Sequence, residues 1–227
     1  MFAWIGQIFG RIGAAISKPK PMPPVPERPK SFKGYTFEGS TYPFAPYKTV
    51  PVKLNSYMIE EYLPAMNRIV GDEPKGLKLL ITAMAHIEGF HPGSRSYRTK
   101  NPGNIGNTDS GANKPAATLE EGILRQVNYI NRVVQGKNIN YPMGKLKPIA
   151  PWYSEEIAKN PKTYGVGDGW VPGYKFVFTG QLDQFVKIYA SFPRISNTYL
   201  SVLVSFFKQN GLEITPESKL QDIILMT

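Results

Sequence analysis

The run at residues 76–107, GLKLLITAMAHIEGFHPGSRSYRTKNPGNIGN, constrains the fold more than any other stretch. Leu77, Ile81 and Met84 precede Glu88 by eleven, seven and four residues, the spacing of one face of an α-helix. A single carboxylate therefore shares the core-facing stripe of an otherwise apolar segment. Gly, Pro, Ser, Asn and Arg follow at once, residues that make loops and hydrogen bonds more readily than a core. The pattern predicts a helix that delivers one acid into a polar cleft.

The rest of the chain reads as mainly α. Apolar positions at 55–70 follow helical spacing, with Pro64 kinking or dividing the segment. Asp72, Glu73 and Pro74 predict the start of the helix that ends near Glu88, and Gly89, Pro92 and Gly93 predict its end. Thr118 and Glu121 form a capping-box pattern ahead of a helix that stops at Gly136. Residues 137–179 carry Pro, Gly and aromatics and are expected to form a structured wall of a cleft, with a short helical piece at 154–159. Leu182, Phe185, Val186 and Tyr189 predict another helix, ended by Pro193. Ser196 or Asn197 is expected to cap the next one, which reaches Gly211, and Thr215 and Pro216 to open the last. No strand alternation or internal repeat stands out.

Three regions precede or make up the globular part. Residues 1–17 are apolar, with Arg11 as the only charged side chain, and are expected to form an apolar helix that anchors the chain to a lipid membrane or to a partner protein. An export signal is the remaining alternative for them. Residues 18–54 combine a Pro-rich tether, with six prolines between Pro19 and Pro29, and an aromatic arm. Residues 55–227 form the expected globular domain, for which 41% hydrophobic content is ample.

Composition excludes several chemistries. The absence of cysteine removes disulfides, thiol catalysis and thiolate metal sites. No metal site and no cofactor is expected: there are only two histidines, and His86 and Glu88, two apart, point about 200° from each other on a helix. The net charge of +10 suits polyanionic surroundings. Without a run of like charges or a basic recognition helix, nucleic acid is a disfavoured partner.

Glu88 is the candidate catalytic residue. The negative end of the helix dipole and apolar neighbours both oppose its ionised form, so it is expected to titrate high. A carboxylic acid protonated near neutrality is what cleavage of a glycosidic bond needs, because the leaving oxygen must gain a proton. A buried structural glutamate paired with Arg95, Arg98 or Lys100 is the alternative.

Taken in order, helix-borne Glu88, the loop Asn101-Pro102-Gly103-Asn104-Ile105, the helix opening Leu119-Glu120-Glu121-Gly122, the segment Ile188-Tyr189-Ala190, the step Asn197-Thr198-Tyr199 and the closing Ile214-Thr215-Pro216 resemble phage lytic transglycosylases of the lysozyme-like superfamily. The resemblance covers roughly residues 55–227. It implies a lysozyme-like, soluble-lytic-transglycosylase-like catalytic domain that cleaves the MurNAc-GlcNAc bond of peptidoglycan glycan strands to a 1,6-anhydro product. It also implies a virion protein that acts at the bacterial cell envelope. Glu88 would be the general acid/base, with Asn101, Asn104, Ile105 and Tyr189 binding substrate beside it. Many relatives place Ser after the glutamate, where this chain has Gly89 and Phe90, so Ser94 or Ser96 would have to supply that hydroxyl. Two alternatives stay open: a lysozyme or glucosaminidase in which Asp109 activates water, and a non-catalytic structural protein of the virion.

Overall fold

The computed structural model describes residues 31–32, 35–36, 48–107, 113–148, 175–190 and 193–227. The segments expected at 1–17, 18–30 and 154–159 lie outside these, as does Asp109. The described chain is mainly helical. Its helices are α1 (Leu63–Val70), α2 (Lys75–Ile87), α3 (Arg95–Arg98), α4 (Leu119–Val134), α5 (Leu182–Tyr189), α6 (Pro193–Gln209) and α7 (Leu220–Ile223). Two short antiparallel pairs accompany them, β1 (Ser31–Phe32) with β2 (Tyr35–Thr36) and β3 (Leu146–Pro148) with β4 (Lys175–Val177). Two or three residues per strand are too few to leave an alternating signature in the sequence.

Helix α2 is the axis of the core. The sequence predicted one apolar stripe, but burial runs almost all round it, from Gly76 and Leu77 through Ala85. A helix that is apolar on every face belongs in the interior. It packs against α6, α4 and α1, and its first turn meets α7. Leu80, Ile81 and Met84 are fully buried, as are Ile123, Val127 and Ile130 of α4 and Leu203 and Phe207 of α6. Each such side chain contributes about 1.5–3 kcal/mol of transfer free energy.

The helix boundaries correct several expectations. Pro64 does divide the first segment: a π-helical turn at Met58–Tyr62 precedes α1, because Pro64 has no N–H to continue a regular ladder. Asp72 does not cap α2, which starts at Lys75 with no side-chain cap; the Gly76 N–H instead donates to the Met226 carbonyl at 2.8 Å. A Cβ on Gly76 would lie 1.8 Å from the Ile223 carbonyl oxygen, so only glycine lets α2 and the C-terminal segment approach this closely. Pro193 opens α6 rather than ending the helix before it, so neither Ser196 nor Asn197 is the cap. Thr215 and Pro216 form a turn ahead of the four-residue α7. Through the carbonyls of Pro216 and Ser218 this turn accepts the first N–H groups of α5, from Asp183 and Leu182 at 2.9 Å each. Residues 48–54, the end of the aromatic arm, dock on the helices, with Val52 and Leu54 packed against the core.

Among the described residues no helix is long and apolar enough to cross a membrane.

Candidate active site

The geometry of the site begins with how α2 ends. Gly89 adopts φ +69°, a left-handed conformation that costs glycine little. The Phe90 N–H reaches back to the Ala85 carbonyl at 3.1 Å and the Gly89 N–H to His86 at 3.0 Å, the paired bonds of a Schellman stop. Phe90, 2% exposed, is packed edge-on against Tyr62 at 5.8 Å and anchors the turn in the core. Glu88 is thereby fixed as the cap residue just past Ile87, half-buried, with its own N–H bonded to Met84.

Both carboxylate oxygens of Glu88 have a protein donor. The Tyr199 hydroxyl donates to Oε1 at 2.7 Å, from a residue 111 positions away on α6. The Asn104 amide donates to Oε2 at 2.6 Å, from the loop after α3. Asn104 is steadied in turn: Asn107 Nδ2 donates to its Oδ1 at 2.9 Å, and the Lys114 N–H donates to Asn107 Oδ1 at 2.7 Å. Two charge-assisted bonds favour the ionised carboxylate, opposing the helix terminus and the partial burial that favour the acid. The sequence revealed only the second pair of influences.

The loop itself is held by residues that the sequence grouped with Asn104. Asn101 is fully buried, and its side chain is spent within the loop: Nδ2 donates to the carbonyls of Ile105 and Lys114 at 3.0 and 3.2 Å, and Oδ1 accepts from the Ile105 N–H at 3.1 Å. Asn101 therefore braces the loop from below and offers no free polar atom to a ligand. Ile105 is half-buried against the core. Asn104 has φ +49°, a strained conformation that Asn tolerates better than most residues, and this turns its amide towards Glu88. Helix α4 lies directly beneath. A Cβ on Gly122 would stand 1.9 Å from the Lys100 carbonyl oxygen, and one on Gly103 would be 2.7 Å from the Gln126 side chain. Gln126, fully buried, bridges Tyr62 and the Ile81 carbonyl at 3.2 and 3.3 Å and so connects the floor of the loop to α2.

Tyr189 stands one step from the acid. Its hydroxyl donates to the Gly103 carbonyl, clasping α5 to the loop, and its ring meets Tyr199 edge-on at 5.5 Å. In the described hydrogen bonds it is the Tyr199 hydroxyl that reaches Glu88, while that of Tyr189 goes to Gly103. Burial, together with the neighbouring charge of Glu88, pushes the hydroxyls of Tyr189 and Tyr199 well above the usual phenol range, so both remain donors at any ordinary pH. Tyr199 belongs to the Asn-Thr-Tyr step singled out in the sequence, yet a tyrosine at helical spacing looks like core. What could have found it is its place ten residues after Tyr189, on the next helix. Of the two serines expected to supply a hydroxyl, Ser96 donates to the Glu88 main-chain carbonyl at 3.1 Å, and Ser94 caps α3. The hydroxyl on the carboxylate is phenolic instead.

Neither His91, exposed with Nδ1 2.8 Å from the Pro92 carbonyl, nor half-buried His86, whose imidazole is pushed down by burial, joins this network by a described hydrogen bond. Among the described residues no three His, Cys, Asp or Glu side chains are grouped to hold a metal ion. No family model, curated protein or solved structure matches the chain.

Proposed function

We propose that this chain is a peptidoglycan lytic transglycosylase with Glu88 as its one general acid/base, on a lysozyme-like helical domain. The observation that carries the reading is a carboxylate at the end of a buried helix, oriented through both oxygens by Tyr199 and Asn104. In the reaction, protonated Glu88 gives its proton to the glycosidic oxygen between MurNAc and GlcNAc as the bond to C1 breaks. The 6-hydroxyl of the same muramoyl residue then bonds to C1, and its proton returns to the carboxylate. The 1,6-anhydro product leaves, and the acid is restored without water or a second carboxylate.

Tyr199 would steady the carboxylate while it is charged. Asn104 occupies the other oxygen, so protonation there makes its amide exchange Glu88 for a substrate acetamido group. Asn101, Ile105 and Tyr189 would hold the loop in place rather than touch sugar. The apolar segment at 1–17 and the Pro-rich tether fit an enzyme attached to a virion, through lipid or a neighbouring protein, while it reaches the wall of the host envelope.

Mass spectrometry of soluble fragments released from purified sacculi tests the reaction. Muropeptides ending in 1,6-anhydro-MurNAc are expected. Reducing-end products would instead establish hydrolysis, with Asp109 as the water-activating group to examine, and release of no fragments would leave a glycan-binding or structural virion protein.

A further inference from the structure

The segment entering the helical body runs along α6 with a matched period. The Lys48 N–H donates to Ser201 Oγ at 3.1 Å and the Val50 N–H to Ser205 Oγ at 2.9 Å. Gln209 completes a third rung once its amide is assigned the orientation that satisfies both groups, with the nitrogen 3.2 Å from the Val52 carbonyl and the oxygen 3.1 Å from the Val52 N–H. Every second residue of the segment thus meets every fourth residue of the helix. Four helical residues advance about 6 Å and two extended residues about 6.6 Å, so the two periods stay in step over three rungs.

A helix has no main-chain donors or acceptors to spare for a neighbouring strand, because its own ladder uses them. Ser201, Ser205 and Gln209 supply side-chain groups in their place, and the two serines are 7% and 1% exposed. Hydroxyls inside a helix usually compete with its backbone, and burial makes their hydrogen bonds matter more. The two serine oxygens accept from the entering segment. Helix α6 also carries Tyr199, two residues before the first rung, and Tyr199 is the donor on Glu88 Oε1.

We infer that residues 48–52 are a positioning strap: by pinning Ser201, Ser205 and Gln209 they set where α6 lies along its own axis, and so hold the Tyr199 hydroxyl against Glu88. The inference rests on Glu88 being the acid of the proposed reaction. It extends the working enzyme beyond the helical body to the end of the arm that precedes residue 55, and it makes the site depend on a segment that touches none of the reacting atoms. The hydrogen bonds of the strap go to α6. The Asn104 side of the carboxylate is held independently, through Asn107 and Lys114.

The test uses the full chain and one rung. Val50→Pro removes the donor, Ser205→Ala removes the acceptor, and Val50→Ala keeps the main-chain N–H as the conservative control. Two quantities are read: kcat and KM for release of anhydro-muropeptides, and the carbon NMR resonance of the Glu88 carboxyl in the free protein, with Tyr199→Phe marking its position once the phenol donor is gone. Val50→Pro and Ser205→Ala are each expected to lower kcat about fivefold with KM little changed, the effect of one hydrogen bond. Both should move the resonance towards the Tyr199→Phe position. The double variant should be no worse than either single one, and Val50→Ala should behave as wild type. An unmoved resonance in both rung variants would overturn the inference, as would a shift of equal size in Val50→Ala. The resonance needs no turnover, so a wild type that releases no product would sink the enzymatic reading while the strap is still decided by the spectrum.

Discussion

Among the described hydrogen bonds, each oxygen of Glu88 accepts from a donor on a different part of the chain: Tyr199 from a helix and Asn104 from a loop. Their loss should therefore differ in kind. Tyr199→Phe removes one hydroxyl and little volume, and kcat is expected to fall about tenfold, consistent with a charge-assisted bond of about 1.5–3 kcal/mol only partly lost in the transition state. Asn104→Ala removes both the bond to Glu88 and the group proposed to receive the acetamide, so it should raise KM as well as lower kcat. Steady-state kinetics on soluble glycan fragments separate the two patterns, and an identical pattern for both variants would contradict the division of labour. At this scale Glu88 was legible because a lone carboxylate on an apolar stripe is rare. Asn104 was legible only as a loop residue beside the acid, and Asn101 shared the same signal while bracing the loop internally. Spacing cannot tell an asparagine that faces outward from one that faces in.

At the scale of elements, the site depends on how closely α4 approaches the loop at 100–105. Gly122→Ala would drive a methyl group into the Lys100 carbonyl, a backbone atom that cannot swing aside. A stability loss of about 1–3 kcal/mol is expected, measured by urea denaturation, with activity falling further than stability because the displaced loop carries Asn104. Helix α5 holds a second sensitive point, the buried pair Lys187 and Asp183 at 2.8 Å, with side chains 6% and 4% exposed. Burial pushes the Lys187 ammonium below its ordinary value, and the neighbouring Asp183 charge opposes that. Asp183→Asn removes the charge 2.8 Å from the buried ammonium and should cost more, by urea denaturation, than replacing both residues by apolar ones of similar size. Equal losses from the two changes would contradict this account.

The capping signals that stood alone were read correctly. Thr118 accepts from the Glu121 N–H at 3.1 Å, although the Glu121 carboxylate passes over Thr118 to the Ala117 N–H at 2.8 Å. The signals that failed were those overridden by tertiary partners, as where Met226 rather than Asp72 serves the start of α2.

Across the whole molecule, aromatic residues join the helices around the site. Tyr129, Tyr141, Phe185, Tyr189 and Tyr199 form a continuous set of ring contacts with centroids 5.4–6.4 Å apart, and the Tyr129 and Tyr141 hydroxyls meet at 2.6 Å. Burial pushes the hydroxyls of Tyr62, Tyr129, Tyr141, Tyr189 and Tyr199 upward. A folded-state pKa above the unfolded one means that the native state holds the proton more tightly, so this contribution is complete below the unfolded value of about 10 and is lost as pH rises beyond it. The protein should therefore lose stability steeply above about pH 10. Tyrosinate absorbance from these residues should appear together with the loss of helical circular dichroism, not before it. Early, separate ionisation of all five would contradict their burial. Tyrosine content was plain in the sequence, but the convergence of these tyrosines was not, because the contacts join α4, α5, α6 and the turn at Tyr141 across separations that local periodicity does not reach.

Whether Glu88 alone performs the proposed acid and base steps is decided by comparing wild type with Glu88→Gln on purified sacculi. The amide keeps the shape of the side chain and can still accept from Tyr199, so the fold should persist, checked by thermal unfolding. Release of anhydro-muropeptides should fall by about 100-fold or more, the loss that follows removal of a general acid and base. Equal release by the two proteins would remove Glu88 from the mechanism.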